Sequence, residues 1–355
     1  MKKSTINFLV LITATVISFL AFEIIARNFL TVGEAYPPSS AWALERWLEL
    51  EQKSKTKAEV TRHSIDRYDS LYGWTTKSNL REFGQHQGWI VNSNSKGVRG
   101  CIEHAYGKHS RLRIVTIGDS FTFGECVNDS QTSPAQLNKR LPDAEVINLG
   151  VHGYGHDQQL IKLIHEGLKY QPDIIVLGYQ QDDVYRNMVS FRDYAKPYFV
   201  LKNNTLELKN VPVPFPEYFT NQFHLKSIGL LKAKWAEVTA TYNGPENEIL
   251  SKAILDSMVT LAQKQHALFI TVYLPWDVQI MENGAKPLPT LFDSLCSRKG
   301  VLKVDPTQAF NQYLSGRTDT AGIFKCHYPP VFNCIIADLL AREIHNNNLL
   351  KEKMK

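Results

Sequence analysis

Arg113-Ile114-Val115-Thr116-Ile117-Gly118-Asp119-Ser120-Phe121-Thr122-Phe123-Gly124 is the stretch on which the reading of this chain turns. Ile114, Val115 and Ile117 make a short apolar run rich in β-branched residues and closed by a glycine. Such a run reads as a buried strand of a parallel sheet. Gly118 lets the backbone turn sharply where the strand ends. Asp119 and Ser120 then fall at the carboxyl edge of the sheet, where open α/β folds bind their ligands. A serine at that edge becomes a nucleophile if a base reaches it; without a base it is an ordinary strand-ending turn.

The same strand–helix rhythm continues downstream. Residues 131–141 read as a helix with Leu137 and Leu141 inward, and residues 145–150 as a second buried strand. That strand runs into Asn148-Leu149-Gly150-Val151-His152-Gly153. Residues 157–169 carry Leu160, Leu163, Ile164 and Leu168 on one face, as an amphipathic helix does. Residues 174–177 form a third strand, ending at Gly178-Tyr179-Gln180-Gln181-Asp182-Asp183. Three such units in succession imply right-handed crossovers and a parallel sheet. Residues 186–245 break the rhythm with prolines, an Asn203-Asn204 turn and many aromatics, and read as an insertion near the mouth of the site. A helix over 246–264, a strand over 267–274, a helix over 288–298, a strand over 301–304 and a helix near 330–346 complete the pattern.

Ser120, Gly153 and Asp182 each follow one of three consecutive strands, and His327 just precedes the last helix. A parallel sheet puts these strand ends on one edge, so the groups can converge despite their separation in sequence. Ser120 is the candidate nucleophile. His327, in Cys326-His327-Tyr328-Pro329-Pro330, is the candidate general base. The backbone N–H groups of Ser120 and Gly153 are candidate donors to a developing oxyanion.

These residues resemble the GDSL/SGNH hydrolase superfamily, whose sequence blocks carry in order a Ser, a Gly, an Asn and a His. The resemblance covers Gly118-Asp119-Ser120, Asn148-x-Gly150-x-x-Gly153, Asp182-Asp183 and His327. It starts earlier, near residue 68: Gly73-Trp74, Asn92-Ser93 and Gly97-Val98-Arg99-Gly100 are similar to a stretch preceding the Ser block in membrane-anchored or exported bacterial members. It implies a three-layer α/β/α, flavodoxin-like fold with a parallel sheet of about five strands. It also implies an esterase or acyltransferase that uses Ser120, His327, Gly153 and the Asp182 position, with no cofactor and no metal. Two positions depart from the pattern. Asp182 stands where the family has an Asn that donates into the oxyanion hole, with Gln181 as a possible substitute. Phe324 stands where an Asp usually orients the His, so Asp319 or Asp305 would fill that role, or the site is a Ser-His dyad. These departures also leave room for a catalytically impaired binding or assembly module.

Composition fits a folded globular protein: hydrophobic residues make up 43% and charged residues 21%. The net charge of +5 is spread without a basic stripe, which argues against nucleic acid as a partner. The five cysteines form no CxxC pair and no zinc spacing, and their odd number leaves at least one thiol unpaired within the monomer. Lys2 and Lys3 precede an uncharged apolar stretch over residues 4–22, about enough to span a bilayer as a helix. The lysines favour a cytoplasmic N-terminus. No small-x-small cleavage pattern follows, so an uncleaved anchor is expected in preference to a signal peptide. The expected organisation is an anchor over 1–30, a linker and juxtamembrane helix over 31–67, and a hydrolase-like domain over 68–350. The expected place is the inner membrane with the domain outside the cytoplasm. The expected substrate is an acylated carbohydrate or lipid; the aromatics of the insertion could stack on sugars, but most of them are expected to pack on the domain.

Overall fold

A computed structural model describes residues 3–29, 65–84, 88–107, 112–190, 192, 194–213, 225, 227–228, 244–276, 288–317 and 326–347. Helix α1, Lys3–Phe29, is apolar along its length and exposed on nearly every face. It is long and apolar enough to cross a membrane, with a mean hydropathy of 2.5 in its most apolar window. Among the described residues, its buried positions are Glu23 and Ala26 in the last turns. Glu23 is buried there, accepts the Ser227 backbone N–H at 2.9 Å and pairs with Arg27 at 2.6 Å. The juxtamembrane helix expected over residues 43–61 lies outside the described residues.

Two small antiparallel hairpins come next: β1 (Asp66–Asp69) with β2 (Gly73–Thr76), and β3 (Phe83–Gly84) with β4 (Ile90–Val91). Strand β1 begins at Asp66, inside the stretch assigned to the linker and juxtamembrane helix. The central sheet holds β5 (Leu112–Ile117), β6 (Ala144–Asn148) and β7 (Ile174–Tyr179), and later β10 (Leu268–Tyr273) and β11 (Val301–Val304). Its order is β11-β10-β7-β5-β6, and every pairing is parallel. The fold is the expected three-layer α/β/α arrangement on a five-stranded parallel sheet.

The pleat sorts each strand between two cores. Val115, Ile117, Ile175, Leu177 and Phe269 face one side, under α4 (His156–His165), α6 (Pro245–Lys264) and α7 (Thr290–Cys296). Ile114, Ile174, Val176, Ile270 and Val272 face the other, under α3 (Ser133–Arg140), α8 (Thr307–Leu314) and α9 (Pro330–Asn346). Helix α8 has no counterpart in the sequence reading. The strand and helix ends otherwise fall within a few residues of the expected ones, and α9 matches its expected span.

The start of the expected insertion belongs to the body of the domain. Lys196 is fully buried; its Nζ pairs with buried Asp157 and donates to the Arg186 and Val189 carbonyls at 3.1 Å. Strands β8 (Tyr198–Lys202) and β9 (Thr205–Lys209) form a hairpin. Phe199 is buried in the α4 side of the core, and Tyr194 packs on Trp74 at 5.6 Å. These two aromatics pack on the domain. Phe215, Tyr218 and Phe219 lie outside the described residues.

Candidate active site

Ser120 opens a four-residue helix, α2 (Ser120–Phe123), directly after β5. Asp119 caps it, accepting the Phe121 N–H at 3.0 Å. Gly124, with φ +82°, ends it by donating its N–H to the Ser120 carbonyl. The turn has no room for side chains on the strand ends behind it. A Cβ at Gly118 or Gly178 would meet Thr122 Oγ1 at 2.0 or 2.1 Å, because Thr122 lies against both. These two glycines let α2 sit close to the sheet edge, which fixes where Ser120 stands.

His327 arrives from the loop before α9. Its Nε2 lies 2.9 Å from Ser120 Oγ, within hydrogen-bond reach. The ring packs on Phe121 at 4.8 Å and lies 6.3 Å from the Trp276 ring. Neighbouring Tyr328 is buried, packs on Phe121 at 4.6 Å and donates its hydroxyl to the Pro275 carbonyl at 2.5 Å. The loop is thus tied to the end of β10. Glu125, just past α2, holds a carboxylate oxygen 3.8 Å from His327 Nε2. The far nitrogen, Nδ1, faces no carboxylate among the described residues. It faces sulfur: Cys326 Sγ at 3.4 Å and Cys126 Sγ at 3.8 Å. Cys126 and Cys326 are joined in a disulfide.

Gly153 is buried with φ +74°, a conformation that favours glycine. Among the described residues, neither the Ser120 nor the Gly153 backbone N–H has a hydrogen-bond acceptor. The loop holding Gly153 is fixed by the β1–β2 hairpin. Trp74 Nε1 donates to the His152 carbonyl at 3.0 Å, the Tyr154 hydroxyl to the Trp74 carbonyl at 2.5 Å, and His152 Nε2 lies 2.5 Å from Asp66. Asn148 is structural: its amide donates to the Thr122 and Phe123 carbonyls and its oxygen accepts the Gly150 N–H.

Asp182 opens α5 (Asp182–Arg186), and its carboxylate accepts the Trp276 indole N–H at 2.6 Å. Burial pushes its pKa up; Arg186 and the indole hydrogen bond pull against that, and Asp119 adds to the rise. Beneath it Arg186 is buried, 2.5 Å from Asp183 and 3.3 Å from Asp119. It also donates to the Tyr154 carbonyl at 2.9 Å. Asp183, fully buried, is raised by burial and by the Asp119 charge despite Arg186. Gln181 Oε1 accepts the Tyr179 hydroxyl at 2.8 Å.

The structure brings Ser120 and His327 together and does not bring Asp305 to them. Asp305 Oδ1 is engaged by the Thr307 N–H and hydroxyl at the start of α8. Asp319 and Phe324 lie outside the described residues. Sequence reasoning missed Arg186, Trp276, Glu125 and the disulfide. The cysteines carried a signal, since Cys126 follows the candidate nucleophile by six residues and Cys326 immediately precedes the candidate base.

Neither a family model nor a curated protein matches this sequence. Solved structures similar to it include a lipolytic protein of the G-D-S-L family from Desulfitobacterium hafniense, at 16% identity over 65% of this chain and 99% of that one, TM-score 0.38. An acetyl xylan esterase is similar at 13% identity over 66% of this chain and 100% of that one, TM-score 0.42. A two-domain esterase active on acetylated mannans is similar at 12% identity over 69% of this chain and 50% of that longer one, TM-score 0.38.

Proposed function

We propose that this chain is a serine esterase or acyltransferase of the GDSL/SGNH kind, held at the inner membrane by α1 with its domain outside the cytoplasm. Its substrate is an O-acyl group, O-acetyl included, on a carbohydrate or a lipid. The observation that carries the proposal is the 2.9 Å approach of His327 Nε2 to Ser120 Oγ at the carboxyl edge of the sheet. His327 takes the Ser120 proton as Oγ attacks the ester carbonyl. The oxyanion of the tetrahedral intermediate accepts the Ser120 and Gly153 N–H groups, which no protein acceptor occupies among the described residues. His327 then gives the proton to the leaving alcohol. Water or an acceptor hydroxyl, deprotonated by the same imidazole, releases the acyl group from Ser120.

A second reading, a binding or assembly module on the same fold, is favoured by His327 Nδ1 facing sulfur where a triad would have a carboxylate. Labelling by a fluorophosphonate separates the two. The wild type is expected to label. Ser120→Ala is expected to lose labelling and to lose turnover of a small acetyl ester by about 10⁴-fold or more, on the precedent of serine triads. An unlabelled wild type, or equal turnover in the variant, rejects the esterase reading.

A further inference from the structure

The Cys126–Cys326 bridge encloses the candidate catalytic pair. Cys126 lies three residues beyond the end of α2, and Cys326 is bonded through its peptide to His327. The covalent path from Ser120 through Cys126, Cys326 and His327 therefore makes a ring. Its closing contact is the 2.9 Å approach between Ser120 Oγ and His327 Nε2. The two half-cystines are 200 residues apart in sequence, so the bridge is a covalent link that chain connectivity does not supply, added to the packing of His327 and Tyr328 on Phe121. Cys126 also has φ +69°, a conformation seldom adopted outside glycine, which aims its side chain from a position the backbone would not favour alone. Both sulfurs lie on the Nδ1 side of the imidazole, at 3.4 and 3.8 Å.

A base that accepts the serine proton on Nε2 needs its other proton on Nδ1 and a fixed ring plane. A triad obtains both from a carboxylate at Nδ1. A disulfide sulfur is a weak acceptor and cannot stabilise the imidazolium as a carboxylate does. What it supplies is place: a covalent tether one residue from the ring and a sulfur wall against Nδ1, opposite Ser120. The imidazolium charge is met from the other side, by Glu125 at 3.8 Å.

We propose that the Cys126–Cys326 disulfide is the positioning device of His327, replacing the carboxylate of a triad, so that activity depends on the bridge being closed. This rests on the Ser120–His327 reading above. Reduction by a dithiol delivers two electrons and two protons, converts the bridge to two thiols and closes the reductant to its own disulfide. His327 then loses its covalent link to the end of α2 and keeps only the packing of its ring on Phe121 and the Tyr328 contacts among the described residues.

The test compares the oxidised protein with the protein reduced by dithiothreitol, and with Cys126→Ser/Cys326→Ser, on a small acetyl ester. EDTA is present throughout, because the freed thiols and His327 bring three ligand atoms within 4.8 Å and could capture a metal. Displacement of a base by about an ångström costs on the order of 10²-fold. A fall of that size in kcat is expected on reduction and in the double variant, with KM little changed, an unchanged circular dichroism spectrum and recovery of the reduced wild type on reoxidation. A control lacking the other cysteines, Cys101→Ser/Cys296→Ser/Cys334→Ser, is expected to keep both the activity and its sensitivity to reductant. A merely structural bridge would lower the unfolding temperature and leave kcat at 25 °C within about twofold; that outcome overturns the proposal. The imidazole NMR resonances of His327, assigned with His327→Gln, give a readout independent of turnover. They are expected to shift or broaden on reduction, and unchanged resonances also overturn the proposal. An oxidised wild type that does not label with fluorophosphonate rejects the esterase reading itself, and the resonances still report whether the bridge positions the ring.

Discussion

At the scale of single residues, Asp182 is where this site departs most from the chemistry its neighbours set up. An ionised carboxylate beside an oxyanion opposes the charge that acyl transfer must stabilise, whereas a protonated one can donate a hydrogen bond. Burial shifts its pKa upward, toward the neutral form, against the pull of Arg186 and the Trp276 indole. The indole N–H occupies one carboxyl oxygen in either state. A proton on the other would supply the donor that an asparagine amide supplies. As pH rises through the elevated pKa, Asp182 ionises, the donor is lost and a negative charge takes its place. Activity on a small acetyl ester should therefore fall in that range. One donor to an oxyanion hole is worth about 3 kcal/mol, or on the order of 10²-fold. Asp182→Asn should not show the fall. The measurement is the ratio of the two pH–rate profiles. A ratio that stays flat would place Asp182 outside the hole.

At the scale of elements, α4 places a histidine where it cannot carry charge. His156, its first residue, is fully buried and stacks on Tyr179 at 5.1 Å. Burial first, and the Arg186 charge second, depress its pKa to about 3. A depressed histidine contributes stability that is present above the unfolded value near 6.5 and is lost as pH falls, because the unfolded chain takes up the proton first. Between pH 7 and pH 5 that loss is about 2 kcal/mol. Urea unfolding at the two pH values should show it in the wild type, and His156→Phe should remove a like amount of the difference whatever its own stability. Other elements were legible in sequence for simple reasons. The core strands are β-branched runs closed by glycine, and α3, α4, α6 and α9 show apolar periodicity. Five residues, by contrast, matter through partners that periodicity does not encode. Trp276 meets Asp182 across 94 positions and Cys126 meets Cys326 across 200. Arg186 is buried only because Asp119 and Asp183 converge on it, and Glu125 approaches His327 only once the fold is closed. The start of the insertion packs on the domain, where Lys196 is held in the interior by an ion pair with buried Asp157, 39 positions away in sequence, which periodicity does not encode.

At the scale of the whole molecule, two features far apart in sequence point to one compartment. The uncharged run over residues 4–22 has a helical length of about 28 Å at 1.5 Å per residue, close to the hydrocarbon core of a bilayer. Lys2 and Lys3 precede it, and the Glu23–Arg27 pair follows it where the helix meets Ser227. Basic residues before the span favour that end in the cytoplasm, in line with the proposed placing of the domain on the other side. The Cys126–Cys326 bridge asks for the same side, since disulfides persist in oxidising compartments. At the end of α1, buried Glu23 accepts the Ser227 N–H. Alkaline carbonate should therefore leave the full-length protein in the membrane pellet, and protease added to spheroplasts should digest the domain while sparing a cytoplasmic marker. Release into the carbonate supernatant with a shortened N-terminus would instead identify residues 4–22 as a cleaved signal. Protection of the domain until the membrane is permeabilised would place it in the cytoplasm, and would remove the oxidising surroundings that the bridge beside His327 requires.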